Sequence, residues 1–195
     1  VSITSAKTGE LAGIYTQNTD DWTQGTITFK EGYEGLVKIT IQDYQFCTPT
    51  TINVYVVEKE ILDAIVNVAL TAPSSRNSKS SAFMIVEDRD TLDALSQMRD
   101  SGAALLSGAP AAIVVLGDET KTDLWVDNCA ISSTFIQLAV TAMDLVSCWI
   151  HCNQRPCKKD EPDGAKSHDY VRELLGIKEG MNPYCVIAIG YPEEN

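Results

Sequence analysis

The sequence predicts an α/β fold, with helices flanking a central mixed sheet, preceded by a β-rich segment. Three observations support this prediction. Residues 1–57 carry the two-residue apolar alternation of β-strands and no helical pattern of useful length. From residue 58 onward, helical and strand patterns alternate, as they do in layered α/β structures. Apolar residues make up 44% of the 195 positions, which is enough for a hydrophobic core.

The segment 1–57 is predicted to hold three or four short strands. It is rich in Thr, Val, Ile and Tyr, with glycine-containing breaks between the apolar runs GTITFKEG, GLVKITIQDY and TTINVYVVE. It weakly resembles the end of a bacterial Ig-like surface module, although a complete sandwich of that kind needs about seven strands. An edge sheet packed on a neighbouring unit is the alternative. We therefore predict two domains, residues 1–57 and residues 58–195.

The second domain is predicted to begin with a helix, a strand and another helix. Ile61, Ile65 and Val68 share one face of the helix EKEILDAIVNVAL, which ends before Pro73. The strand SAFMIVE follows, and then the amphipathic helix RDTLDALSQM. The continuous apolar run PAAIVVLGD is typical of a strand that is buried on both faces.

A long helix over residues 123–145 is predicted next, in the stretch DLWVDNCAISSTFIQLAVTAMDL. It is apolar over much of its circumference, so we expect it to lie between layers or at a subunit interface. A short strand or loop, VSCWIHC, an amphipathic helix, SHDYVRELLGI, and a final buried strand, PYCVIAIGYP, complete the pattern.

Charge excludes two classes of partner. The chain has 27 acidic and 15 basic residues, a formal net charge of −12, which argues against binding to nucleic acid or to an anionic membrane. No apolar run approaches the roughly 20 residues that a membrane span needs. We also find no signal peptide pattern at the start of the sequence.

The cysteines invite a metal hypothesis, which their spacing does not support. Cys148, His151, Cys152 and Cys157 lie close together in sequence. They form no paired C-x-x-C arrangement, and no second Cys or His pair accompanies them. We therefore expect buried or free thiols and no metal.

A polar crossing links the first helix of the second domain to its first strand, in the stretch Pro73-Ser74-Ser75-Arg76-Asn77-Ser78. Its backbone N–H groups, hydroxyls, guanidinium and amide could hydrogen-bond a planar polar ligand, although a plain surface turn has the same composition. The chain has no G-x-G-x-x-G, P-loop or G-x-S-x-G motif. An enzyme with this sequence would take its chemistry from a cofactor.

Several stretches together resemble the flavin-dependent nitroreductase family. They occur in the family's order and cover roughly residues 57–194: APSSRNSK followed by FMIVED, GAPAAIVVLGD, WVDNCAISSTFIQLAVTAMDLVSCWI, YVRELLGIKEG and VIAIGYPEE. The resemblance implies the nitroreductase-like fold and FMN bound at the interface of a homodimer. It also implies hydride transfer from NAD(P)H through FMN to a nitroaromatic, a quinone or a similar electron-poor acceptor.

The resemblance also implies which residues touch the cofactor. The turn residues Pro73, Ser74, Ser75 and Asn77 match the stretch that contacts the flavin ring and ribityl chain. The residues Trp149, Ile150, His151 and Cys152 match the stretch that lies along the flavin. Within that stretch, the backbone N–H of His151 is expected to point towards flavin N5. The catalytic chemistry would then belong to the flavin, and the His151 imidazole would not act as a general base.

The sequence departs from the family pattern where the FMN phosphate is expected to bind. The β-rich segment replaces the usual N-terminal helix with its Arg-Arg-Ser-x-Arg type motif, and acidic residues follow the terminal Gly-Tyr-Pro. Hydrogen bonds to charged groups contribute roughly 1.5–3 kcal/mol each, so the loss of two or three would weaken binding considerably. The alternative hypothesis is therefore a non-catalytic fusion or fragment with weakened FMN binding. The resemblance implies a cytoplasmic location, whereas a genuine Ig-like segment would indicate the cell surface.

Overall fold

The computed structural model describes residues 2–5, 13–17, 25–29, 35–41 and 50–192, and the side chains of residues 56–192. The chain divides into two units, Val1–Glu58 and Lys59–Asn195. Within the described residues, no helix combines the length and the apolar character that crossing a membrane requires.

The described residues of the first unit form five short strands, where three or four were predicted; they are β1 Ser2–Ser5, β2 Gly13–Gln17, β3 Gly25–Phe29, β4 Gly35–Ile41 and β5 Thr50–Val56. Strands β1, β4 and β5 form a three-stranded antiparallel sheet in the order β1-β4-β5, and β2 pairs with β3. The alternating Thr, Val and Ile residues of these segments favour strands, as the sequence predicts. The resemblance to an Ig-like module remains a prediction.

The second unit is a four-stranded sheet with helices on both faces. Its elements are α1 Lys59–Leu70, β6 Ser81–Val86, α2 Arg89–Ser96, β7 Ala111–Asp118, α3 Trp125–Ala142, β8 Val146–His151, α4 Ser167–Leu174 and β9 Met181–Gly190. Single turns of 3-10 helix occur at Ser75–Asn77 and Ala104–Ser107. The strand order is β6-β7-β9-β8, so β6 and β8 are the two edges among the described residues.

The predicted α/β class is confirmed, and the sheet differs from the expected mixed sheet in strand direction. All three described pairings in the second unit are antiparallel. Val86 at the end of β6 pairs with Ala112 near the start of β7, so the intervening chain returns to the end of the sheet that it left. Alternation of helices and strands in a sequence does not determine strand direction, because the chain between two strands can return to the end of the sheet that it left or cross to the other end.

One face of the sheet carries a continuous apolar cluster, the α2–α4 cluster. Side chains of all four strands and of the segments around α2 and α4 meet there, among them Leu92, Leu95, Met98, Leu106, Val114, Ile150, Val171 and Val186. Asp88 caps the start of α2, since its carboxylate accepts hydrogen bonds from the Thr91 N–H at 2.9 Å and hydroxyl at 2.7 Å.

Helix α3 packs on the opposite face of the sheet, and α1 packs on α3. This face is more polar. The Ser132 hydroxyl donates to the Ser81 hydroxyl at 3.1 Å, and the Ser133 hydroxyl lies 3.3 Å from the Cys185 sulfur. At Gly117, a Cβ would overlap the ring of Trp125, so glycine permits the close approach of α3 to β7.

Candidate functional site

The polar crossing is a tightly bonded turn in the structure. The Asn77 N–H donates to the Ser74 carbonyl, and the Ser78 N–H donates to the Ser75 carbonyl, both at 2.9 Å. The Ser74 hydroxyl accepts the Lys79 N–H at 3.0 Å. Arg76, Asn77 and Lys79 have φ values of 49°, 56° and 48°, a left-handed conformation that side chains other than glycine rarely adopt. Three residues in this unfavourable backbone conformation, so close together, indicate that contacts with the surrounding structure hold the turn.

Asn128 on α3 supplies those contacts. Asn128 is buried, with only 2% of its surface exposed. The Asn128 amide oxygen accepts the Ser75 N–H at 2.8 Å, and the amide nitrogen donates to the hydroxyls of Ser78 at 3.2 Å and Ser80 at 2.8 Å. A buried amide that satisfies both donor and acceptor in this way fixes the turn relative to the helix. The Asn77 side chain, in contrast, is exposed at the surface of the turn.

The second predicted segment ends at an open sheet edge. The Cys152 N–H donates to the Tyr184 carbonyl of β9 at 3.1 Å. Because neighbouring residues of an antiparallel strand direct their polar groups to opposite sides, the N–H and carbonyl of His151 point away from β9. The Arg99 guanidinium confirms this direction, since its Nη1 donates to the His151 carbonyl at 3.2 Å. The structure therefore places the His151 N–H on the outer side of the β8 edge, where a ligand can accept it.

Side chains of β8 alternate between the two faces of the sheet. Ile150 and Cys152 are buried in the α2–α4 cluster, so they could contact a ligand at the edge only through their backbone. Burial raises the pKa of the Cys152 thiol to about 12, which keeps it protonated. Trp149 and His151 lie on the α3 face. There the Tyr184 ring meets both edge-to-face, with centroid distances of 5.8 Å to Trp149 and 5.0 Å to His151.

The surroundings of the His151 imidazole disfavour its protonated form. Burial lowers its pKa from the ordinary value, and the positive charges of Arg155 and Arg99 lower it further. The ring is therefore uncharged at neutral pH. The expectation that this side chain is not a general base rests on the family resemblance, and the described contacts are consistent with it.

The turn and the end of β8 share one end of the sheet but lie at its opposite edges. Phe83 of β6 pairs with Val115, Val115 with Cys185, and Cys185 with His151. Three strand spacings of about 4.8 Å separate β6 from β8 by about 14 Å. The structure thus does not bring Ser75 and His151 together within one chain.

A pocket of about 30 Å³ lies beside the turn, where Ser74, Lys79, Ser81, Phe83 and Ser132 contribute to its lining. Pockets for drug-sized ligands measure about 300–1,000 Å³, so this one is small for a three-ring cofactor. Within one chain, the described residues therefore do not enclose a three-ring ligand between the two predicted segments.

The cysteine–histidine segment does not form a metal centre in the structure. Cys152 is buried in the α2–α4 cluster, whereas Cys148 is exposed to solvent. Among the described residues, no group of three or more His, Cys, Asp or Glu side chains is placed to hold a metal ion.

Comparison with known proteins decides the family. The model of the nitroreductase family matches residues 95–191. A protein of Methanothermobacter thermautotrophicus with the provisional name NADH dehydrogenase/NAD(P)H nitroreductase is 30% identical over 142 residues, which cover 71% of this chain and 69% of that protein. The chain belongs to the nitroreductase family.

Solved structures of nitroreductases agree with this assignment. An FMN-dependent nitroreductase from Clostridium difficile R20291 has a TM-score of 0.67 and 37% identity, over 72% of this chain and 79% of that one. A protein from Parabacteroides distasonis, provisionally named NADH dehydrogenase/NAD(P)H nitroreductase, has a TM-score of 0.64 and 32% identity, over 72% and 78% of the two chains. The nitroreductase fold predicted for the second domain is confirmed.

Three residues that contact the two predicted segments were not singled out from the sequence. They are Asn128, Tyr184 and Arg99. A signal for Asn128 was present, because Asn128, Ser132 and Ser133 repeat at helical spacing within an otherwise apolar helix. Tyr184 occupies a register shift of β9 opposite Val115 and Leu116, which a strand pattern does not show.

Proposed function

We propose that this chain is an FMN-dependent oxidoreductase that transfers a hydride from NAD(P)H through FMN to nitroaromatic, quinone or similar acceptors. Family membership supports oxidoreductase chemistry, and the Clostridium difficile relative is itself named as FMN-dependent. The observation that carries the proposal for this chain is the His151 N–H on the outer side of the β8 edge. When bound, FMN would supply the redox chemistry, because its ring accepts a hydride and passes it on.

The residues of β8 would bind and orient the flavin. The His151 N–H would donate a hydrogen bond to flavin N5, a contact that requires the backbone and no particular side chain. Trp149 and His151, braced by Tyr184, would form the apolar surface along which the ring lies, with the backbone of Ile150 and Cys152 beside them. A neutral His151 ring avoids burying a charge against the ring system.

The polar turn would bind the flavin ring and ribityl chain. Pro73, Ser74, Ser75 and Asn77 contribute backbone and side-chain polar groups, and the exposed Asn77 amide is free to reorient towards a ligand. Asn128 would act on the flavin indirectly, as a positioning residue, by holding the turn.

We propose further that the complete site forms between two copies of the chain, the turn of one facing the β8 edge of the other. The separation of about 14 Å between β6 and β8 within one chain supports this arrangement. An apolar stripe on α1 and α3 supports it independently. Three exposed side chains repeat every seven residues, Leu124 just before α3 and Ile131 and Leu138 on it, and Val68 is exposed on α1, which packs on α3. Burying this stripe would favour a homodimer.

In this proposal, residues 58–195 are the FMN-binding domain and residues 1–57 are a separate β-rich domain. The division of the chain into units at Glu58 and Lys59 is compatible with that boundary. A cytoplasmic location would suit the use of NAD(P)H.

Two variants at one position test the proposal. His151→Ala keeps the backbone N–H, whereas His151→Pro removes it at an edge position that faces away from β9, where proline is tolerated. We expect the wild-type chain to acquire the flavin absorption bands on titration with FMN and to oxidise NADH or NADPH with a quinone acceptor. His151→Ala should retain FMN binding and turnover, and His151→Pro should lose at least about tenfold in turnover.

Thermal unfolding of both variants controls for loss of the fold. A wild-type chain that stays colourless after FMN addition would contradict the proposal and support the non-catalytic alternative. Equal turnover by folded His151→Pro and His151→Ala would show that the N–H is not the flavin contact.

A further inference from the structure

A second pocket, which we call the cationic pocket, adjoins the outer edge of β8. It measures about 270 Å³, opens to solvent and is lined by Arg99, Asp100, Ser101, Arg155, Pro156 and Lys159. Residues 99–101 follow α2, and residues 155–159 lie in the loop between β8 and α4. The pocket is large enough for part of a nucleotide rather than for a single ion.

Backbone hydrogen bonds hold the two walls of the cationic pocket together. The Asp100 N–H donates to the Cys157 carbonyl at 2.9 Å, and the Lys159 N–H donates to the Asp100 carboxylate at 2.8 Å. At the rim towards β8, the Arg99 guanidinium donates a hydrogen bond to the His151 carbonyl. These hydrogen bonds hold the segment with Arg155 and Lys159 beside the segment with Arg99.

Charge in the cationic pocket runs against the charge of the chain. Three cations and one carboxylate line it, whereas the whole sequence has 27 acidic and 15 basic residues. Among the described residues, Arg99, Arg155 and Lys159 make no ion pair, although five other Lys and Arg side chains do. The Arg99 Nε is also buried without a hydrogen-bond partner in the described part of the chain. An unneutralised cation cluster of this kind attracts an anionic ligand.

Phosphate is an anion that suits these groups. Guanidinium groups donate paired hydrogen bonds to phosphate oxygens, and a lysine ammonium adds a mobile charge. Both substrate and cofactor of the proposed reaction carry phosphate. The pyridine nucleotide must enter and leave in every cycle, which suits a pocket open to solvent, whereas a resident cofactor favours an enclosed one.

We propose that the cationic pocket binds the phosphate groups of the pyridine nucleotide and so brings its nicotinamide to the β8 edge. This inference rests on the proposed function. Arg99 links the two sites, because the same side chain lines the pocket and contacts the carbonyl of His151.

The test is a calorimetric titration with ADP and with inorganic pyrophosphate, at low salt and without FMN. Arg155→Gln and Lys159→Gln should each weaken binding about tenfold or more, as expected for the loss of a charge-assisted hydrogen bond. Lys158→Gln is the matched control, because it removes the same charge one residue away from Lys159, and Lys158 does not line the pocket but pairs with Glu161 at 3.0 Å. In the FMN-loaded protein, the two pocket variants should raise the KM for NAD(P)H by a similar factor.

Three outcomes would overturn the inference. These are no binding of ADP or pyrophosphate to the wild-type chain, equal weakening by Lys158→Gln, and a rise in the FMN Kd that matches the loss of ADP affinity. The last outcome would assign the cationic pocket to the FMN phosphate. A wild-type chain that fails to bind FMN would contradict the proposed function alone, because the titration without FMN still decides whether the pocket binds phosphate.

Discussion

The amide oxygen of Asn128 accepts a hydrogen bond of 2.8 Å from the backbone N–H of Ser75, 53 positions earlier in the chain. This bond and the two that Asn128 donates to Ser78 and Ser80 join α3 to a turn in an unfavourable backbone conformation. Left-handed residues other than glycine cost roughly 1–2 kcal/mol each, so the turn requires contacts of this strength to persist. Helix α3 therefore determines the shape of the surface that the proposed cofactor would touch.

Asn128→Ala should destabilise the chain and weaken FMN binding. The substitution leaves the Ser75 N–H and the Ser80 hydroxyl without their partner, at a cost of about 1–3 kcal/mol. We expect a lower Tm in thermal unfolding and a higher FMN Kd in a fluorescence titration. Thr134→Ala is the control, because the exposed Thr134 hydroxyl donates only to a carbonyl of its own helix. If Asn128→Ala matched the control in both measurements, Asn128 would not position the turn.

Leu138→Glu should dissociate the proposed homodimer. Leu138 is 62% exposed at the C-terminal end of the apolar stripe on α3. Burial of a leucine side chain contributes about 1.5–3 kcal/mol, and burial of a carboxylate opposes association. Light scattering after size exclusion should show a dimer for the wild-type chain and a dimer Kd raised at least about tenfold for the variant.

Leu174→Glu on α4 provides the comparison, because Leu174 is exposed on a helix at the opposite face of the sheet. A wild-type chain that is monomeric at micromolar concentration would exclude the two-chain site. So would dissociation by Leu174→Glu to the same extent.

Stability should fall as the pH rises above about 9. Burial raises the pKa of Cys129 to about 11, of Cys152 to about 12 and of Tyr184 to about 12. Each group keeps its proton in the folded chain and releases it near pH 9–10 when unfolded, so the unfolded state binds fewer protons and gains stability as the pH rises. Urea unfolding should give a lower midpoint at pH 10 than at pH 8.

Cys152→Ala should reduce that difference in the free energy of unfolding by on the order of 1 kcal/mol. Val114→Ala, in the same α2–α4 cluster, should lower stability equally at both pH values, because it removes no titrating group. If Cys152→Ala left the pH dependence of stability unchanged, the thiol of Cys152 would ionise as easily in the folded chain as in the unfolded chain.

Local patterns in the sequence predicted the elements of the second domain well, and their ends less well. The long helix was expected over residues 123–145 and spans Trp125–Ala142. It ends in a turn where Asp144 has a φ of 58°, although no glycine or proline follows the helix to mark the end. The strand β7 matches its expected position because a run buried on both faces leaves little freedom in its register.

Arrangements between distant segments could not be predicted in the same way. The resemblance matched both the turn at Ser75 and the edge at His151 to flavin contacts, but neither stretch indicates that the strand order places them at opposite edges of the sheet within one chain. Arg99 and Arg155 line one pocket, whose two walls are joined by the hydrogen bond between Asp100 and Cys157, and no local pattern encodes that bond. Strand order and loop docking depend on pairings between distant segments, whereas motifs depend on neighbouring residues.

The two faces of the four-stranded sheet have consequences for mutagenesis. The α2–α4 cluster is apolar throughout, so substitutions that conserve volume there should be tolerated with small losses of stability. The α3 face joins helix to sheet through directional contacts of Asn128, Ser132 and Ser133. A mutant library intended to raise thermal tolerance should therefore diversify the α2–α4 cluster. A library intended to change the substrate range should keep the polar contacts between α3 and the sheet.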